Sequence, residues 1–149
     1  MKRVYLEEMF EYKGYKCACV FNAGGFRCGY VAVDENHPYY EKDYSIDGPN
    51  EIMCHWGLTY SGNGKHFYEG DEDFWWFGFD CGHCEDGVDY DTAMEYGLIS
   101  EREYAIGMNY QDLISFDGIT IKDKEFVKEN CKMIVEQLIA AKKVNEDNL

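Results

Sequence analysis

The segment Asp80-Cys81-Gly82-His83-Cys84-Glu85-Asp86 brings carboxylate, thiol and imidazole side chains together within a single turn. It follows directly on Phe74 to Asp80, an aromatic run with the highest β-propensity in the chain. A strand end is a stiff base, and Gly82 lets the backbone turn sharply there. The chain has only four histidines, and His83 lies in this segment while His55 lies beside Cys54 in a separate apolar stretch. Zinc takes four ligands from Cys, His and carboxylate in tetrahedral array. Cys81-x-x-Cys84 supplies one short turn of donors, but no second Cys-x-x-Cys or His-x-His matches it, so a zinc ribbon or finger is excluded. The pattern fits a zinc site of His55, Asp80 and His83, with Cys81 or water in the fourth position.

Strand geometry sets a condition on that ligand set. Side chains alternate across a strand, so Trp76, Gly78 and Asp80 share one face and Trp75, Phe77, Phe79 and Cys81 the other. Asp80 and Cys81 can both ligate only if the strand ends between them. If it does not, Cys81 is a core cysteine and the whole turn can be packing rather than chemistry. A redox Cys-x-x-Cys opens a helix, whereas Glu85-Asp86-Gly87 opens none. No phosphate loop is present, because Gly24-Gly25 lacks the Lys and Ser or Thr that such a cradle uses.

The elements that must position these groups can be read in outline. Gly14 to Asn22 and Phe26 to Val33 read as two strands joined by a Gly-rich turn. Ile52 to Tyr60 reads as a strand carrying His55, and Phe74 to Asp80 as a central strand covered on two sides. Asp91 to Tyr96 reads as a helical turn, and Ser100 to Ser115 is ambiguous because Gly107 weakens a helix. Asp123 to Val144 is a strong helix: Asp123 can cap it, and Phe126, Val127, Cys131, Ile134, Val135, Leu138 and Ile139 recur at helical spacing. Between the strands, Asp34 to Glu51 is a long connection with Tyr39, Tyr40 and Tyr44 expected to pack over the domain edge. Together these predict an α+β fold: an antiparallel sheet of hairpins with a long C-terminal amphipathic helix on one face.

Length and charge bound the function. The 149 residues suit a single domain spanning 1–149, with 142–149 expected to fray. A hydrophobic fraction of 46% excludes an acidic disordered chain. The formal charge of −15 argues against direct nucleic-acid binding, which needs Lys and Arg to displace counterions from phosphates. The same charge suits a basic protein partner, attracted and steered by the field. No signal-peptide pattern and no membrane-length apolar run is seen, so the cytoplasm is the expected location and the seven cysteines are expected to be reduced.

Four blocks carry a resemblance: Gly29-Tyr30-Val31, His37-Pro38-x-Tyr40-x-x-Asp43-Tyr44, His55-x-Gly57-Leu58-Thr59-Tyr60 and Trp75-Trp76-Phe77-Gly78-Phe79-Asp80-Cys81-x-His83. With the helical Glu125 to Cys131, they resemble a family of small phage and prophage proteins. The family pattern has Gly after the first His, where this chain has Trp56. The resemblance implies a phage setting in a bacterial host. There, small acidic proteins include anti-CRISPR inhibitors, some of them metalloproteins acting on Cas9. What it implies is an inhibitor that docks on an RNA-guided nuclease and blocks its DNA loading. The residues alone leave two further readings: a metal-dependent hydrolase using His55, Asp80 and His83 with Glu85 or Asp86 as base, and a sponge for a small signalling ligand.

Overall fold

A computed structural model describes residues 3–70, 73–114 and 118–148. Five antiparallel strands form one sheet: β1 (Val4–Tyr12), β2 (Tyr15–Asn22), β3 (Arg27–Val33), β4 (Tyr60–Gly62) and β5 (Trp75–Asp80). Their order is β1-β2-β3-β5-β4. Three helices follow: α1 (Tyr90–Glu95), α2 (Glu101–Leu113) and α3 (Lys124–Asp147). The chain is therefore α+β, with the long C-terminal helix against one face of the sheet. Among the described residues, no helix is long and apolar enough to cross a membrane.

Alternation in the strands builds two cores. Cys17, Cys19, Val31, Val33, Phe77, Phe79 and Cys81 face the helix side, where Val127, Cys131, Ile134, Val135 and Leu138 of α3 pack on them. Each fully buried Val, Ile or Leu here contributes roughly 1.5–3 kcal/mol. Ala18, Val20, Cys28, Tyr30, Ala32 and Trp76 face the other way, under Phe67 and Tyr68 of the connection between β4 and β5. The close approach of α3 depends on Gly29, where a Cβ would lie 2.4 Å from Phe79 and 3.0 Å from Cys131 Sγ. Tyr39, Tyr40 and Tyr44 pack against the helix-side core, so the connection from Asp34 to Glu51 covers the domain edge.

Several elements differ from the sequence expectation. The stretch from Ile52 to Tyr60 is not a strand: only its last residue joins β4, and His55 lies in a turn. Trp56 at φ +59° and Gly57 at φ +79° take the backbone out of the extended region, and Gly57 N donates to Cys54 O at 3.0 Å. Of the ambiguous segment, Glu101–Leu113 is helical, held by a capping box between Ser100 and Glu103, and Ser115 lies outside the described residues. Gly107 serves packing there, since a Cβ would lie 2.3 Å from the Tyr90 ring. Helix α3 begins as expected, with Asp123 accepting from Phe126 N at 2.9 Å, but it continues to Asp147, through most of the segment expected to fray.

Strand β1 is an addition to the sequence reading. The register of β1 on β2 shifts between Leu6 and Glu8, a bulge that sets Glu7 apart from simple alternation. The Glu7 side chain is buried and accepts from Arg27 in two bonds, Nε to Oε1 at 2.7 Å and Nη2 to Oε2 at 3.1 Å. Tyr96 donates its hydroxyl to Glu7 Oε2 at 2.7 Å, and Arg27 Nη1 donates to Lys122 O at 3.2 Å. This network ties the sheet, the end of α1 and the approach to α3 together beneath the candidate site.

Candidate functional site

Three segments meet where β5 ends: the turn 54–57, the loop 80–87 and the strand-like stretch at Thr120 to Lys122. The loop is fixed by backbone bonds. Asp86 N donates to His83 O at 2.9 Å, Gly87 N to Thr120 O at 2.7 Å and Thr120 N to Glu85 O at 3.1 Å. The turn is fixed from the helix, because His55 N donates to Asn130 Oδ1 at 2.8 Å while Asn130 Nδ2 donates to Phe126 O at 3.1 Å.

Asp86 is the hub. Its side chain is fully buried. His55 Nε2 lies 2.9 Å from both of its oxygens. The backbone N–H of His83 donates to Oδ2 at 3.0 Å, and Lys122 Nζ lies 3.0 Å from Oδ1. Burial pushes this carboxyl up, but the bonds from His55, the His83 amide and Lys122 outweigh it and hold it below its ordinary range. Lys122 also donates to Thr120 O and Oγ1, which fixes its ammonium beside Asp86.

Asp80 and His83 form a second pair, more open to water. Gly82 N donates to Asp80 Oδ1 at 3.0 Å and Thr59 Oγ1 to Oδ2 at 3.1 Å. His83 Nε2 lies 3.2 Å from Asp80 Oδ1 but meets no partner in hydrogen-bonding geometry. The two imidazoles stand 5.9 Å apart, centre to centre. Trp56 stacks on His83 at 5.0 Å, with 22° between the planes, and is 56% exposed. Met53, three residues earlier, is 72% exposed.

The expected zinc donors thus lie in three environments. His55 pairs with Asp86, and His83 lies against Asp80. Cys81 is buried in the helix-side core, where loss of water pushes its thiol up to about 12. Its N–H donates to Arg27 O at 2.9 Å, so the sheet bonding runs past Asp80 and Cys81 keeps the core-facing side of the alternation. Among the described residues, no group of three His, Cys, Asp or Glu side chains is gathered to hold a metal ion. His55 Nε2 is taken by Asp86 and Cys81 faces the core, so the structure does not bring the four expected donors together.

Sequence reading placed Asp86 in the donor-rich segment and gave it a role only as a possible base, it named Trp56 as a departure beside His55, and it missed Lys122 and Asn130 as parts of the site. The signal for Asp86 was its place three residues after His83, where a carboxylate can accept the His83 amide. Lys122 and Asn130 carry no local signal. Asp86 also borders a pocket of about 260 Å³ lined by Cys84, Val88, Tyr90, Tyr110 and Ile119.

No family model matches the chain, and no relative is found among curated proteins or solved structures.

Proposed function

We propose that the chain is a docking protein that uses an acidic surface to bind a basic, nucleic-acid-handling protein and compete with its nucleic acid. The observation that carries this reading is the outward face of the site. Asp86, His55 and Lys122 are engaged with one another beneath it, and it presents to solvent Trp56, held at φ +59° and more than half exposed. An exposed Trp is typical of interface anchors. A strained backbone at an exposed residue marks function more often than stability. The net charge of −15 supplies attraction toward a basic groove. An RNA-guided nuclease, as the phage resemblance implies, is the partner to try first. The test is titration calorimetry of the protein against such a nuclease at low and high salt, with and without its target DNA. Binding that weakens with salt and is displaced by DNA supports the reading; no binding at low salt removes it.

A second reading is enzymatic, a hydrolase centred on His55. The buried Asp86 favours it, because a carboxylate holding Nε2 fixes the ring and leaves Nδ1 to take a proton from water. Turnover of an ester or amide substrate that disappears in His55→Gln, with the fold intact, would favour this reading over docking.

A further inference from the structure

We propose that the exposed side of α2 and the pocket beside it form a groove for a basic amphipathic helix of the partner, with one large apolar side chain of that helix seated in the pocket. The inference rests on the docking reading and adds a second contact surface to it.

Helix α2 buries only Gly107, where a Cβ would lie 2.3 Å from the Tyr90 ring. Ile106, Tyr110 and Leu113 recur at i, i+4 and i+7, so they share one side of the helix. That side faces water: Ile106 and Tyr110 are each 58% exposed and Leu113 is 83% exposed. A helix of a globular protein turns such a stripe toward the core, as α3 does with Val127, Ile134 and Leu138. A stripe left on the surface marks an interaction site. It runs into the pocket of about 260 Å³, because Tyr110 belongs to both. Ile114 and Ile119 line the same pocket, and Ile121, two residues on, is exposed as well.

Size and charge select the occupant. The pocket is smaller than the roughly 300–1,000 Å³ that takes a drug-sized ligand, and it suits the side chain of one apolar anchor. A stripe at i, i+4 and i+7 matches a second helix whose anchors recur at the same spacing. The rim then favours a basic helix. Helix α2 carries Glu101, Glu103 and Asp112 against Arg102. Exposed Glu85 and Asp91 adjoin the pocket-lining Cys84 and Tyr90 in the chain. The Lys122 ammonium is held by Asp86 and Thr120. A second copy of the chain would bring its own charge of −15 and the same acidic rim to this face, which repulsion disfavours.

The test is titration calorimetry of the whole protein with two peptides of about eighteen residues and identical leucine and lysine content. One carries leucine at helical spacing, and the other is scrambled so that no stripe forms. The expected result is tighter binding of the striped peptide, weakening with salt. The double variant Ile106→Gln with Leu113→Gln should weaken that binding by about tenfold while circular dichroism stays unchanged. Asp112→Asn should weaken it less and flatten its salt dependence. Equal affinity for the two peptides, or unchanged binding in the double variant, overturns the inference. Dimerisation of the wild-type protein that the double variant abolishes would give this face to a second copy and overturn it too. If the basic partner protein binds the wild type and the double variant equally, the groove falls and the docking reading stands. If the partner does not bind the wild type, the docking reading has failed, whereas stripe-dependent peptide binding still supports the groove.

Discussion

The Lys122 ammonium lies 3.0 Å from Asp86 Oδ1, so the carboxylate that holds His55 is balanced by a cation from the protein itself. The Asp86 side chain is fully buried and that of Lys122 is 14% exposed. Removing one member of such a pair leaves a buried charge uncompensated. Lys122→Met should therefore cost on the order of 3 kcal/mol in denaturant unfolding. The double variant Lys122→Met with Asp86→Asn should recover part of that loss. A simple sum of the two single effects would mean that the groups are not coupled.

Stability should fall on mild acidification, and His37 gives a reason. Its Nδ1 accepts from Tyr39 N at 3.0 Å, which requires the neutral ring and leaves Nε2–H to donate to Leu138 O at 2.9 Å. Burial pushes its pKa down from the ordinary 6.5. The unfolded chain then takes up the proton first, so this contribution is complete above about pH 6.5 and is lost as pH falls through the lower folded value. Burial depresses His66 in the same direction. Thermal melts between pH 7.5 and 5 should show a smaller loss for His37→Gln than for the wild type. Asp86 adds a second decline further down, because its folded pKa lies below the ordinary 3.8. Its contribution is present above that value and is lost as pH drops below it.

Thiol labelling should separate Cys84 from the rest. Cys84 is exposed, whereas Cys17, Cys19, Cys28, Cys81 and Cys131 are buried and Cys54 is half-buried. Burial pushes Cys17, Cys28, Cys54 and Cys81 up to about 12, so their thiolate is scarce near neutrality. Ellman's reagent should therefore titrate one fast thiol in the native protein, and Cys84→Ser should abolish it. The others should react only on unfolding.

Trp56→Gly should separate stability from docking. Glycine adopts the left-handed conformation freely, whereas a bulky side chain at φ +59° is strained. The substitution should raise stability by about 0.5–1 kcal/mol while weakening partner binding. A loss of stability instead would assign Trp56 a packing role on His83.

The sequence by itself determined the parts of this protein that follow from local periodicity. The hairpin of β2 and β3, the β5 run and the stripe on α3 each repeat at their own spacing over enough residues to be read. Alternation along β5 was also enough to put Asp80 and Cys81 on opposite faces. Strand β1 was hidden because Glu7, Glu8 and Glu11 blur its alternation, and because the bulge that buries Glu7 answers to Arg27, twenty residues away. Only the tertiary structure decided the site. Which carboxylate meets His55 depends on how a turn at 54–57, a loop at 80–87 and Lys122 are brought together across the sheet. His55 and Asp86 are 31 residues apart, and Asn130 reaches His55 across 75. Such contacts leave no period in a sequence, because they follow from burial of the same core by segments that are not neighbours in the chain. A histidine and an aspartate state what chemistry is available, and the packing of α3 on the sheet decides which of them touch.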